Sequence, residues 1–330
     1  MRRRDFITLV GGATVIQFVS AHAQQQAGVR HLGFLSVGLG NDAVGKDIIA
    51  AFLQGLNALG WKENVNLQID WRWLGADAGL AERQAAELVA LKPDLLVAGG
   101  NIAVDVLRQQ TRAIPLVFAL VSDPVGMGYV ESLAHPGGNS TGFTSYDPPN
   151  YTRQLQLFTE IIPPAKTVAV LYNPKTAPYA SRMLLAMQEA ANSIGVVVRD
   201  APCHDDAGIE VVMAALAKEG AGGLLLLGDP FTQVHQQAII TLALKYKIPT
   251  TVTSRPMMES GGLMSYIVDI PDLYRRSSTY VDRVLKGEKP ADLPVQNPDK
   301  FQLVINLKTA KALGVTVAPH LLNNADEVIE

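Results

Sequence analysis

Leu95-Leu96-Val97-Ala98-Gly99-Gly100-Asn101 is the stretch on which the fold turns. Four consecutive apolar residues with no polar alternate describe a strand covered on both faces, as in a parallel sheet flanked by helices. Two glycines and an asparagine then lead into a segment of helical period over residues 103–112. The same unit recurs on either side, with candidate strands at 32–37, 67–71 and 116–120 and candidate helices at 47–59, 80–91 and 125–133. Short β-branched runs alternating with helical segments predict an α/β fold with a doubly wound parallel sheet. His135-Pro136-Gly137-Gly138-Asn139 is a turn cluster that closes this set, and 140–145 reads as an extended crossover.

A second set repeats the pattern. A helix at 151–162, stopped by Pro163-Pro164, precedes strands at 168–172, 196–199, 223–227 and 250–253, with helices at 180–194, 207–219 and 232–245. After Gly261-Gly262 come a strand at 263–266, a helix at 272–285 and a short strand at 303–306, too little for a third domain. These pieces are expected to return to the earlier lobes. A chain of 330 residues is longer than one core usually serves. The expected architecture is two doubly wound parallel-sheet lobes with a hinge and an interlobe cleft. Residues 28–143 with about 267–295 would form the N-terminal lobe, and 144–266 with about 296–330 the C-terminal lobe.

The first residues combine Arg2-Arg3-Arg4, an apolar run over 6–19 and Ala21-His22-Ala23, in the order of a cleavable export signal. That run is short of the roughly 20 apolar residues that span a bilayer. Residues 1–23 are therefore expected to be a signal peptide cleaved before Gln24, delivering the protein to the periplasm. Arg3-Arg4-Asp5-Phe6-Ile7 looks like a twin-arginine signal, which passes folded proteins, with an ordinary Sec signal as the alternative. No cysteine follows the cleavage site to carry a lipid anchor, and the mature chain is expected to be a soluble monomer.

Composition excludes several classes of function. The net charge is −3, and cleavage would remove three arginines with one aspartate, so nucleic acid is not an expected partner. Cys203 is the only cysteine, which rules out an intrachain disulfide and Cys-based metal sites. The six histidines show no metal-binding spacing. Neither a G-x-S-x-G elbow nor a P-loop is present, so the chain is read as a binding protein and not an enzyme, with no cofactor.

Ligands of open parallel sheets sit beyond the carboxyl ends of the strands, so residues just after each strand are the candidates. In the first set these are Ser36, then Gly100 and Asn101 at a helix start whose free N–H groups favour an anion, then Ser122 and Asp123. Asn101 is alternatively a plain N-cap. In the second set they are Asn173, which is alternatively a turn residue, and Asp229. Asp123-Pro124 and Asp229-Pro230 both have the form of a capped helix start, which by itself explains them. A carboxylate in a cleft can also meet a ligand ammonium. Tyr146, Phe231 and Tyr266 are placed to wall an apolar ligand part, or else belong to the core. Gly38-Leu39-Gly40 with Ala43 loosely matches a dinucleotide fingerprint, with Asp70 as ribose acceptor. The alternative function is accordingly a periplasmic dinucleotide-dependent oxidoreductase.

Longer stretches resemble the ABC transporter substrate-binding protein family, whose members include tryptophan/tyrosine-type binders. They are Arg2-Arg3-Arg4-Asp5-Phe6-Ile7, Ile114-Pro115-Leu116-Val117-Phe118, Asp123-Pro124-Val125 and Pro136-Gly137-Gly138-Asn139-Ser140-Thr141-Gly142. Gly261-Gly262-Leu263-Met264-Ser265-Tyr266, Leu285-Lys286-Gly287-Glu288-Lys289-Pro290 and Ala325-Asp326-Glu327-Val328-Ile329 extend the likeness over essentially the whole chain. The resemblance implies a type I periplasmic binding protein, three interlobe crossovers and an inner-membrane ABC permease as partner. It also implies an amino-acid carboxylate on Asn101 and Ser122, and its ammonium on Asp229 with Tyr146 or Tyr266. Two positions depart from the family pattern: Asn101 stands where a small hydroxyl residue is usual, and Ser122 where glycine is. Aromatic and other organic acids therefore stay open as ligands beside an amino acid.

Overall fold

The computed structural model of the protein describes residues 28–75, 78–145, 148–162, 166–220 and 222–330. The expected signal peptide, Tyr146 and Pro163-Pro164 lie outside the described residues. Two lobes are built, each on one sheet.

The first sheet consists of β1 (Arg30–Ser36), β2 (Leu67–Trp73), β3 (Leu95–Gly99), β4 (Leu116–Val121) and β5 (Ser140–Thr144) in the order β2-β1-β3-β4-β5, all parallel. All five residues of β3 are buried, as a central strand without polar alternates requires. Helices α1 (Ala43–Ala58), α2 (Ala78–Ala90) and α3 (Asn101–Gln110) connect the strands. Ile48, Phe52 and Leu56 recur at i, i+4 and i+8 on the buried face of α1.

The second lobe contains α4 (Pro148–Ile161), β6 (Thr167–Tyr172), α5 (Ala180–Ser193), β7 (Val197–Pro202), α6 (Asp206–Glu219), β8 (Gly223–Leu226), α7 (Pro230–Val234), α8 (Gln236–Lys245), β9 (Thr250–Thr251), α9 (Arg255–Glu259) and β10 (Met264–Val268). The chain then forms α10 (Ile270–Leu285), β11 (Phe301–Asn306), α11 (Leu307–Leu313), α12 (Pro319–Asn324) and β12 (Glu327–Ile329). The second sheet runs β12-β11-β10-β9-β8-β6-β7, parallel throughout except that β11 opposes β10.

The helix α10 goes back to the first lobe. Its Leu273, Tyr274, Val281 and Leu285 share a core with Leu32, Phe34 and Phe52. Gly55 lets α1 lie against it, since a Cβ there would strike Ser278 Oγ and the Arg275 carbonyl. The chain thus passes between lobes after β5, after β10 and before β11, and these passages are bonded to one another. Thr144 N–H donates to the Gln296 carbonyl at 2.9 Å, Gln296 N–H to Gly142 at 2.9 Å and Asp269 N–H to Lys300 at 3.0 Å.

The local readings needed four corrections. Residues 125–133 form turns and no helix: Gly128 has a φ of 68°, and Arg108 of α3 binds the Gly128 and Tyr129 carbonyls at 2.9 and 2.7 Å. Residues 140–145 are not a free crossover, because 140–144 pair with β4 as the fifth strand. The helix expected at 232–245 is two helices, α7 and α8, meeting at His235. α1 starts at Ala43, four residues before the expected start, because Asp42 caps it through Gly45 N–H at 2.7 Å. Among the described residues, no helix is long and apolar enough to cross a membrane.

Candidate ligand-binding site

The carboxyl end of β4 meets those of β6 and β8 around Tyr179. Tyr179 Oη donates to the Gly228 carbonyl just beyond β8 at 2.9 Å, and its hydroxyl faces the Ser122 side chain in the other lobe. Burial, with the nearby Asp229 charge, raises the Tyr179 pKa well above that of a free tyrosine. This tyrosine sits in the loop after β6, at the cap of α5, and was missed among the candidates.

On the first-lobe side, β4 is bent before it reaches the site. Its register with β5 shifts between Phe118 and Val121, and Leu120 takes a φ of 58°. Such a bulge re-aims the residues that follow it, here Val121, Ser122 and Asp123. Ser122 is buried, and its Oγ also lies 3.0 Å from Ser145 Oγ on the first interlobe passage. Asn101 is not the N-cap of α3; Gly100 holds that position with a φ of 86°. The Asn101 amide instead binds the Ser122 backbone at both its ends. Asp123 Oδ1 accepts from Gly126 N–H at 2.9 Å and Oδ2 ion-pairs with Arg182 of α5 at 2.9 Å. The Asp123-Pro124 pair therefore starts a turn, whereas Asp229-Pro230 starts a helix.

On the second-lobe side, Asp229 caps α7 in a capping box with Thr232 and is only 3% exposed. Its Oδ1 accepts from Thr232 N–H and Thr176 Oγ1, both at 3.1 Å, and Oδ2 accepts from Asn173 N–H at 3.2 Å. Desolvation still outweighs these bonds and raises its pKa. Among the described residues no basic side chain is paired with it. Asn173 is buried too, and its Oδ1 accepts from Lys175 N–H at 2.9 Å, the pattern of a turn-forming side chain.

The remaining candidates are more dispersed. Ser36 ends β1 with its Oγ 3.0 Å from Tyr274 Oη, and Gly99 makes room for that pair: a Cβ on Gly99 would strike both hydroxyl oxygens. Phe231 lies in the second-lobe core against the His235 ring. Tyr266 stacks on Phe301 at 5.4 Å, next to the second and third interlobe passages. Tyr146 lies outside the described residues. Thr176, Tyr179, Ser145 and Arg182 were not singled out in the sequence, although Thr176 and Tyr179 lie in a loop following a strand, where a wider search would have met them.

The glycine loop after β1 does not suit a pyrophosphate. Trp73 covers Gly40, and the Asp42 carboxylate already occupies the N-terminus of α1. Asp70 lies in the middle of β2, paired with His31 instead of lying at the strand end. A shallow hollow on the second lobe bordered by Asn306 and Lys308 is separate from the strand ends, and Asn306 is engaged by Thr309 N–H and the Met258 carbonyl.

Known proteins share this fold. A structure from Streptococcus pneumoniae, described as an ABC domain in complex with L-Trp, matches with a TM-score of 0.81 and 26% identity, covering 91% of this chain and 99% of that one. A conserved domain protein of Vibrio cholerae matches with a TM-score of 0.81 and 28% identity over the same shares. A tyrosine-binding protein of Clostridioides difficile (strain R20291) is 26% identical over 266 residues, 80% of this chain and 75% of the relative. The fold is that of type I periplasmic binding proteins. A family model described as ABC transporter substrate binding protein matches residues 39–329, and the chain belongs to that family.

Proposed function

We propose that this protein binds an amino acid, or a related organic solute carrying a cationic nitrogen, between its lobes and delivers it to an inner-membrane ABC permease for import. The observation that carries the reading is Asp229, a carboxylate buried at a strand end with no basic partner among the described residues. Burying an unpaired charge is unfavourable, and a ligand ammonium beside it would offset that. Ser36, Gly100 and Ser122 form the first-lobe wall in this reading, with Asn101 holding Ser122 in place. Asn173, Asp229 and Tyr179 form the opposite wall, with Tyr266 as an aromatic neighbour. The relatives named for tyrosine binding and solved with L-Trp favour aromatic amino acids.

In the same reading, the lobes divide as 28–143 with about 267–295 and 144–266 with about 296–330. The protein acts as a monomer in the periplasm after export. The test is thermal unfolding of the mature chain with L-tryptophan, L-tyrosine and a panel of other amino and organic acids. A ligand held by the folded state alone stabilises by about 2.7 kcal/mol at a hundredfold excess over Kd. A panel that leaves the midpoint unmoved overturns the reading. NAD or NADP raising the midpoint would instead restore the oxidoreductase alternative, which the capped and covered loop at Gly38–Asp42 disfavours.

A further inference from the structure

The loop after β4 touches the second lobe at three places, none of which needs a ligand. Ser122 faces the Tyr179 hydroxyl, Asp123 Oδ2 ion-pairs with Arg182 Nη1 at 2.9 Å, and Met127 packs against the hydrophobic cores of both lobes. Tyr179 and Arg182 sit three residues apart and so lie on one face of the first turn of α5. Gly126 completes the fit. A Cβ on this residue would coincide with Arg182 Nη1 and crowd Asp123 Oδ2, so the guanidinium lies directly over the bare Cα. Nothing in the φ of Gly126 calls for glycine, since it is not among the positive-φ glycines; the space it leaves for Arg182 is the reason visible in the structure.

We propose that the lobe arrangement described above is the closed, ligand-competent one, and that Asp123, Gly126 and Arg182 form an interlobe clasp that stabilises it and sets ligand affinity without touching the ligand. Asp123 was a candidate ligand contact, but both its oxygens are engaged, one by its own loop and one across the gap. Apparent affinity scales with the fraction of molecules in the binding-competent arrangement, so a contact present only in that arrangement strengthens binding from outside the pocket. Arg182 is 61% exposed while Asp123 is 17% exposed, so the effect is modest and salt-sensitive.

Three single variants test the clasp in the full mature chain. Arg182→Ala removes the cation. Asp123→Asn keeps an oxygen for the Gly126 N–H but removes the charge. Gly126→Ala leaves both charges and displaces the exposed guanidinium. Spin labels on Glu82→Cys and Val211→Cys, one exposed site on each lobe, report the lobe separation while Cys203 stays buried. Each variant is expected to shift the separation toward longer distances and to weaken L-tryptophan or L-tyrosine binding by about two- to fivefold. The Arg182→Ala and Asp123→Asn double variant is expected to lose no more than either single, because one interaction is being removed twice. The affinity measurement rests on the amino-acid reading, whereas the separation measurement does not. A wild type that binds neither amino acid but still opens on Gly126→Ala keeps the clasp and removes that reading. Unchanged separations in all three variants overturn the clasp.

Discussion

The Asn101 side chain continues the ladder between β3 and β4 past the point where the backbone leaves it. Its Nδ2 donates to the Ser122 carbonyl at 2.8 Å and its Oδ1 accepts from the Ser122 N–H at 2.9 Å. Direct strand pairing stops at Gly99 and Ala119, because the bulge at Leu120 carries the chain away. Ser122 is thereby held at the gap between the lobes by a residue at the first position of a helix.

Replacing Asn101 with alanine leaves the buried Ser122 N–H and carbonyl without these partners. Orphaned buried groups of this kind cost about 1–3 kcal/mol, so Asn101→Ala is expected to lower the urea midpoint by a corresponding amount. Asn101→Asp retains the acceptor but loses the donor, and it places an oxygen against the Ser122 carbonyl. It is expected to be less stable than wild type at pH 7 and to recover part of the loss in acid, where the new carboxyl can donate. Equal urea midpoints for all three proteins would show that the amide pairing contributes nothing.

Asp229 links the stability of the fold, and the proposed site, to pH. Burial raises its carboxyl above the ordinary value of 3.8, so the folded protein holds this proton more tightly than the unfolded chain. The stability contributed by this group is fully present below 3.8 and is lost as pH rises through the elevated folded value. Asp229→Asn removes that dependence, and the wild-type-minus-variant difference in unfolding free energy should decline across this window. An ammonium ligand favours the charged carboxylate, so wild-type affinity for L-tryptophan should rise with pH over the same range. Calorimetric titrations of both proteins between acid and neutral pH check it, and a flat wild-type profile would remove Asp229 from the site.

Much of the fold was legible because its central strands are buried on both faces. The run over β3 and the run over β8 have no polar alternates, and helices flank them in sequence as in space. The helix expected at 125–133 was misread for an identifiable reason. Val125, Tyr129, Val130 and Leu133 have helical spacing, but Arg108 takes the carbonyls that a helix would use, and it comes from an element distant in sequence. The carboxyl-terminal β12 was missed because three half-buried residues carry no period. At the site, Asp229 was visible as an Asp-Pro pair after a strand. Tyr179 follows its strand by seven residues, and Arg182 resembles any exposed helix residue, so neither stood out before the lobes were brought together.

Gly99 is expected to tolerate no side chain. A Cβ would meet Ser36 Oγ and Tyr274 Oη, both buried, and neither can withdraw because Tyr274 packs against Phe34 within the first-lobe core. Overfilling a core of this kind costs about 1–3 kcal/mol, and Gly99→Ala should show that loss in thermal unfolding. Adding Tyr274→Phe, which removes one of the two obstructing oxygens, should restore part of it. A double variant no more stable than Gly99→Ala alone would mean that the obstruction lies elsewhere.

Tyr179 joins three strand ends, and its hydroxyl can be removed without changing the shape of the ring. Tyr179→Phe takes a partner from the Gly228 carbonyl, a loss of about 0.5–1.5 kcal/mol in stability for a hydrogen bond of ordinary strength. The larger effect is expected on binding. Gly228 precedes the Asp229 cap, and Ser122 adjoins the Asp123 ion pair, so the hydroxyl lies between residues of both proposed walls. Isothermal titration with the ligand found in the thermal panel should show a faster loss of affinity than of stability. If binding and unfolding weaken by the same free energy, Tyr179 is a structural residue of the second lobe and not a wall of the site.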